Sequence, residues 1–288
     1  MIKKLILLLC SCIIMLSGCN LNEDFSDKYI YTTFYPIEYA TQMLCNDDDN
    51  KISSVYPDNA TTSYEVTDKK KKIYSTGEIF VYSGIANEAY LAKDLLNSNS
   101  NLKLIDATKG MDNNLNITNI WLDPSNYLML CSNIKSSLIE YNDNVYTKEK
   151  IEENYKKLNE KVSEIDVKLY DIGKNGNYDT ILTTSDVFNY LNKYNINVIS
   201  IDKNNESIDK SYADATKLIK SKDIDYIYIL EGEELTEEQE KYISSNSLTK
   251  VIINDLFTLS DEERKNGKDY IILMDEIIDN YKKELYKN

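Results

Sequence analysis

Residues 146–174, "YTKEKIEENYKKLNEKVSEIDVKLYDIGK", constrain the fold most, because nothing in them interrupts a helix before Gly173. Apolar side chains recur at Ile151, Tyr155, Leu158, Val162, Ile165 and Leu169, in steps of three and four with charges between them. That period keeps them on one stripe of an α-helix. The spacing predicts a single helix of about 28 residues, ~40 Å long at the standard rise. A rod of that length is either a solvated helix laid on one lobe or a rigid backbone joining two. The rest of the chain has to be arranged around it.

On both sides of the rod, short apolar runs alternate with amphipathic ones. Before it, "YIYTTF", "KISSVYP", "EIFVYSG" and "LKLIDA" read as strands. "PIEYATQMLC" and "NEAYLAKDLLNSN" read as helices, and "DPSNYLMLCSNIKSSLIEYN" as a helix opening on an Asp-Pro cap. After it, "DTILTT", "INVISI", "IDYIYIL" and "TKVIINDL" are strands; "DVFNYLNKY", "YADATKLIKSKD", "TEEQEKYISSN" and "GKDYIILMDEIIDNYKKELYK" are helices. Such alternation with short links is the signature of parallel α/β sheets. The expectation is an α/β fold of two parallel-sheet lobes joined by one long rigid helix. The N-terminal lobe spans 28–145, the linker helix 146–174 and the C-terminal lobe 175–288. Ligands of such sheets bind beyond the carboxyl ends of the strands, here in a cleft between the lobes.

The sole tryptophan, Trp121, lies in "NLNITNIWLDP", residues 114–124. This run reads as strand-like, ending in an acidic turn before Pro124, as a loop at the mouth of a cleft is built. It offers Asn119 as its polar candidate. Trp121, Asp123 and Pro124 read as structural, shaping the loop and capping the next helix. Tyr64, Phe188 and Tyr190 read as packing, Glu65 as a brace for its own loop, and Asp47 to Asp49 as a solvated turn. Glu231, Glu233 and Glu234 end a strand and either line the cleft or face solvent.

The N-terminus, "MIKKLILLLCSCIIMLSGCN", sets two lysines before a short apolar stretch and small residues. This is the layout of a secretory signal, too short for a comfortable membrane span. "LSGC" at 16–19 resembles the bacterial lipobox. It predicts a signal peptide at 1–18, a lipidated Cys19, a polar tether at 19–27 and an extracytoplasmic protein anchored by lipid to the cell membrane. Loss of Lys3 and Lys4 with the signal leaves 31 basic against 48 acidic residues, moving the net charge from −15 to −17. That balance argues against nucleic acid or an anionic membrane surface as partner. Cys10 and Cys12 leave with the signal. Cys45 and Cys131 lie in helical runs and read as two buried free thiols, a disulfide between them remaining open in an oxidising compartment.

Five segments, in order over nearly the whole mature chain, carry a family resemblance: "YTTFYPIEYA", "SYEVTDKKKKI", "NIWLDPSN", "TTSDVFNYL" and "KDYIILMDEIID". Together the chain resembles the zinc- and manganese-type solute-binding lipoproteins of ABC transporters, the cluster with a rigid helical linker that includes the lipoprotein adhesins. The resemblance implies a ligand set of three histidines and a carboxylate. Matched position by position, the histidines fall on Thr62, Asn119 and Ser185. The carboxylate falls near Asn254 or Phe257, with Asp255 one step out of register. The chain has no histidine at all. Neutral hydroxyl and amide oxygens are weak donors to zinc beside imidazole. No high-affinity metal is therefore expected at these positions, leaving room only for a weakly held divalent cation, in a cleft expected to be polar, neutral and lined by oxygen.

The expected function is an extracytoplasmic solute-binding lipoprotein of a metal-ion ABC transporter, with a degenerate, histidine-free site. The alternatives are the same scaffold binding a small polar solute, or a surface adhesin whose cleft is vestigial. The expected partners are an ABC permease, a small ligand or metal ion and the membrane through the lipid anchor. Nucleic acid is excluded and the chain is expected to be a monomer. No nucleophile–base pair is visible in the sequence, and no enzyme or catalytic residue is expected.

Overall fold

The computed structural model describes residues 28–45, 50–57, 60, 64–112 and 114–287, the side chains of Lys28, Asn50 and Asn119 excepted. Cys19, its tether, the acidic run 47–49 and Thr62 lie outside the described residues. The first half comprises β1 (Lys28–Thr32), α1 (Tyr35–Leu44), β2 (Asn50–Ser54), α2 (Asp68–Tyr74), β3 (Ile79–Tyr82), α3 (Glu88–Ser98), β4 (Lys103–Asp106), α4 (Ile117–Leu122) and α5 (Pro124–Glu140). Then α6 (Val145–Asn175) runs unbroken for 31 residues. The second half comprises β5 (Thr180–Thr183), a 3₁₀ helix (Asp186–Tyr194), β6 (Asn197–Ser200), α7 (Ile208–Ser221), β7 (Tyr226–Leu230), α8 (Glu237–Ser245), β8 (Thr249–Ile253), α9 (Asp261–Lys265) and α10 (Tyr270–Leu285).

The strands form two four-stranded sheets, ordered β2-β1-β3-β4 and β6-β5-β7-β8, with every pairing parallel. The order is the same in both. Each sheet therefore reverses its direction of growth between its first and third strands, the point where a doubly wound sheet opens a crevice at its carboxyl edge.

Strand periodicity sorts the core into layers, because successive side chains point to opposite faces. Ile30, Val81, Ile181 and Tyr228 face inward into one continuous core, which also contains the buried stripe of α6. Their neighbours face outward into two separate clusters: Tyr31 and Phe80 under α3, and Leu182, Ile227 and Ile229 under α7 and α8. The lobes thus have private outer cores but share the inner one. The stripe of α6 is Ile151, Leu158, Val162, Ile165, Leu169 and Ile172, with buried Asn154 among them. That asparagine is satisfied, since its Nδ2 donates to the Leu44 carbonyl at 3.1 Å and closes the C-terminus of α1. At the start of α6, Asn144 accepts from the backbone N–H groups of Tyr146 and Thr147 as an N-cap.

The seam between the lobes is aromatic and hydrogen-bonded. Trp121, fully buried, donates its Nε1–H to the Asp255 carbonyl at 2.7 Å. The Tyr35 N–H donates to the Phe257 carbonyl at 3.0 Å. Phe34 meets Phe257 edge-on, with centroids 4.5 Å apart. Tyr270 at the head of α10 stacks on Tyr127 and donates to the Trp121 carbonyl at 2.6 Å. Glu38, nearly enclosed on α1, pairs with Arg264 of α9 at 2.7 Å.

The structure corrects four expectations. The run around Trp121 is helical, as α4, and not strand-like. Ile120, Trp121 and Leu122 are all fully buried, so α4 is wedged in the seam and shows no alternation to read. Residues 186–194 wind as a 3₁₀ helix. Its buried positions, 187 and 190 with 188, 191 and 194, fall three apart, the period at which 3₁₀ side chains eclipse. The polar helices α2 and α9 were not expected. Cys131 is buried but Cys45 only partly so, and the two form no disulfide.

Gly173 lies inside α6 and does not terminate it. A Cβ built there would collide with the Tyr194 carbonyl, so glycine is needed for close approach and not for a turn. Helix propensity alone would favour Gly173→Ala by about 1 kcal/mol. Overpacking should outweigh this, with a net loss of about 1–2 kcal/mol in urea denaturation; a stabilised variant would show that the contact yields freely.

Candidate functional site

The carboxyl edges of the two sheets face one another across a cleft of about 890 Å³. Its C-terminal wall is built from the residues just beyond each strand of the second sheet. Thr184 and Ser185 come after β5, Asp202 after β6, Glu231, Glu233 and Glu234 after β7, and Asn254 and Asp255 after β8. Asn116, Ile117 and Thr118, at the start of α4, form part of the opposite wall. Four of the positions matched to the family pattern, Ser185, Asn254, Asp255 and Phe257, thus line one cleft. Asn119 lies on α4 one residue beyond the lining, and its side chain is not described; Thr62 is outside the described residues.

These residues already have structural duties. Ser185 Oγ accepts from the Val187 N–H and caps the 3₁₀ helix. Asn254 Oδ1 accepts from the Leu256 N–H at 2.7 Å, and Asp255 Oδ1 from the Phe257 N–H at 2.8 Å. Between these two turns Leu256 takes a left-handed backbone, φ 58°, a conformation that costs a leucine about 1–2 kcal/mol. Complete burial of its side chain and the two seam hydrogen bonds on either side hold it there.

The cleft is acidic, where a neutral one was expected. Asp202, Glu231, Glu233, Glu234, Asp255, Glu262 and Glu263 line it, against Lys203 and Lys268. The expectation of neutrality rested on the positions that match the family pattern. The extra carboxylates come from strand ends and from α9, which are distant in sequence. Burial raises the Asp255 carboxyl above its ordinary value, partly offset by the Phe257 N–H. Glu231 is raised by burial, and then by the charges of Asp255 and Glu263. Glu233 is raised by burial against the pull of Thr184, whose hydroxyl donates to it at 2.7 Å. Among the described residues, no group of three or more His, Cys, Asp or Glu is arranged to hold a metal ion.

A second cavity, about 930 Å³, opens at the carboxyl edge of the first sheet. It shares Asn116 and Ile117 with the cleft. Glu88, the first residue of α3, lines it and is 4 % exposed. Its Oε1 accepts from the Tyr56 hydroxyl at 2.6 Å, whereas its Oε2 has no partner on any other described residue. Burial pushes this carboxyl up to about 7 despite the Tyr56 hydrogen bond. The sequence offered only a weak signal for Glu88, an acid in a first helical turn.

Two α/β lobes on a shared helical spine, with a polar cleft between the carboxyl edges, define a two-lobed binding-protein architecture. The family model for the zinc-uptake complex component A, periplasmic, ZnuA, matches residues 30–284, and the chain belongs to that family. The zinc-binding lipoprotein AdcA of Streptococcus pneumoniae is 27 % identical over 95 % of the chain, which spans 59 % of that relative's length. Among solved structures, the Zn(II)-bound ZnuA-like domain of Streptococcus pneumoniae AdcA superposes with a TM-score of 0.70 at 23 % identity, covering 91 % of this chain and all of that one. The metal-dependent lipoprotein YcdH from Bacillus subtilis gives 0.72 at 22 %, covering 90 % of this chain and 100 % of its own. Among the described residues, no helix is long and apolar enough to cross a membrane.

The raised Glu88 carboxyl makes stability depend on pH. The folded state keeps this proton up to about 7 and the unfolded chain releases it near 4.5, so its contribution is full below 4.5 and is lost as pH rises through 7. The loss amounts to at most about 3 kcal/mol. Urea denaturation at pH 5 and pH 7.5 should show wild type losing more stability with rising pH than Glu88→Gln; parallel slopes would refute the assignment.

Proposed function

We propose that the protein is the lipid-anchored, extracytoplasmic binding component of an ABC transporter of the zinc- and manganese-type. In this reading its cleft captures a divalent cation weakly, through carboxylate, hydroxyl and amide oxygens, and presents it to a membrane permease. One observation carries it: Ser185, Asn254 and Asp255 share a cleft with Glu231, whose charged form is disfavoured by burial and by the charges of Asp255 and Glu263. A cation is the ligand that relieves such repulsion. Oxygen donors favour hard ions over zinc, and because no three carboxylates among the described residues form a ready ligand set, affinity is low. The protein acts as a monomer and catalyses nothing.

Calorimetric titration tests this. Manganese or calcium should bind at least as tightly as zinc, and zinc no tighter than about 1 μM, roughly −8 kcal/mol. Nanomolar zinc binding would overturn the reading. Thr62→His, Asn119→His and Ser185→His combined, with an acid at Asn254 or Phe257, should create zinc affinity. At a hundredfold excess over Kd, zinc should then stabilise the variant by about 2.7 kcal/mol. If zinc leaves the variant's melting temperature unchanged, these positions do not converge on one ion.

Cys19 is the proposed lipid attachment point. Cys19→Ala should move the protein from the membrane fraction to the soluble one; continued retention that only detergent relieves would rule the anchor out.

A further inference from the structure

We infer that the cavity at the carboxyl edge of the first sheet is a binding site for a small organic cation, a protonated amine carried on an apolar body, with Glu88 as its counter-charge. This goes beyond cation capture in the inter-lobe cleft and concerns a different cavity. Three features converge. Glu88 is almost wholly buried, yet its Oε2 has no hydrogen-bond partner on any other described residue, and such buried carboxylate oxygens are costly enough to be rare. No cation among the described residues answers it, since Lys71, which also lines the cavity, is paired with Asp94 at 2.5 Å. The walls are aromatic, with Phe34, Tyr56, Tyr64 and Tyr90 among the lining.

That combination selects among ligands. A divalent metal ion needs several oxygen donors converging at once, and among the described residues no three acids are grouped to supply them. An ammonium group needs only a few acceptors, and its charge is further stabilised by aromatic rings. An anion is excluded by Glu88, Glu65 and Asp94 in the same lining. The position fits as well, for the cavity lies beyond the carboxyl ends of the first sheet's strands, where doubly wound sheets bind small molecules. Tyr56, whose hydroxyl donates to Oε1 at 2.6 Å, would hold the carboxylate in place at the cavity wall.

The test uses the full-length protein in buffer with chelator, titrated with benzylamine at pH 8 and with benzyl alcohol as the neutral counterpart. Benzylammonium should bind saturably, with benzyl alcohol at least tenfold weaker. Glu88→Gln, which keeps shape and removes charge, should also weaken benzylammonium at least tenfold. Tyr90→Ala, at a residue 76 % exposed, leaves the fold intact and should weaken it severalfold, so the test stands even if Glu88→Gln does not fold. Equal affinity for the alcohol, unchanged binding by Glu88→Gln, or no saturation below about 10 mM (roughly −3 kcal/mol) overturns the proposal. Because metal is chelated throughout, the outcome is independent of the cation reading of the cleft.

Discussion

The structure depends on one cross-lobe hydrogen bond and the strained turn it anchors. Trp121 reaches from α4 to the Asp255 carbonyl, and Tyr35 reaches from α1 to the Phe257 carbonyl. Between them Leu256 sits at positive φ. A strained residue persists where its surroundings over-determine it, and here those surroundings come from the opposite lobe. The turn holding Asn254 and Asp255 is therefore shaped by both halves of the chain. The carboxyl edges of the two sheets face each other because this seam holds them so.

The seam also determines the electrostatics. It brings Phe257, packed on Phe34, into the lining of the cleft, and the carboxylates of the same lining are partly withdrawn from water. In open solvent such a group of acids would be screened and unremarkable. Here burial pushes both Glu231 and Asp255 upward, and the charges of Asp255 and Glu263 raise Glu231 further. In a family named for zinc uptake, this chain places Ser185 and Asn254 in a cleft lined by carboxylates from strand ends and from α9.

The fold was legible because its elements follow clean periods. The α6 stripe, from Ile151 to Leu169, gave a helix that the structure extends by one residue at each end. The parallel strands announced themselves by β-branched and aromatic runs. Legibility failed where an element is buried on all sides or on none. α4 is enclosed by the seam, so its consecutive apolar residues looked like a strand. α9 has no buried residue and is fixed by a Ser260–Glu263 capping box, a local signal that is present in the sequence. Part of the cleft could be picked out by position, as Ser185, Asn254 and Asp255 show. Its charge could be read only in part: Glu231, Glu233 and Glu234 stood out as a strand end, whereas Asp202 and Glu263 join them only through topology. Glu88 was hidden for another reason. An acid opening a helix normally complements the helix dipole in solvent, and nothing local reveals that this one is buried.

The seam contains the chain's single tryptophan, and this gives the protein a built-in optical gauge. The indole of Trp121 is fully enclosed, with its N–H held by a carbonyl of the opposite lobe. Its emission therefore reports on the junction alone: blue-shifted while the halves are sealed, red-shifted once water reaches the ring. Separation of the lobes and melting of an outer cluster, such as the one under α7 and α8, can be told apart in the native protein without any label.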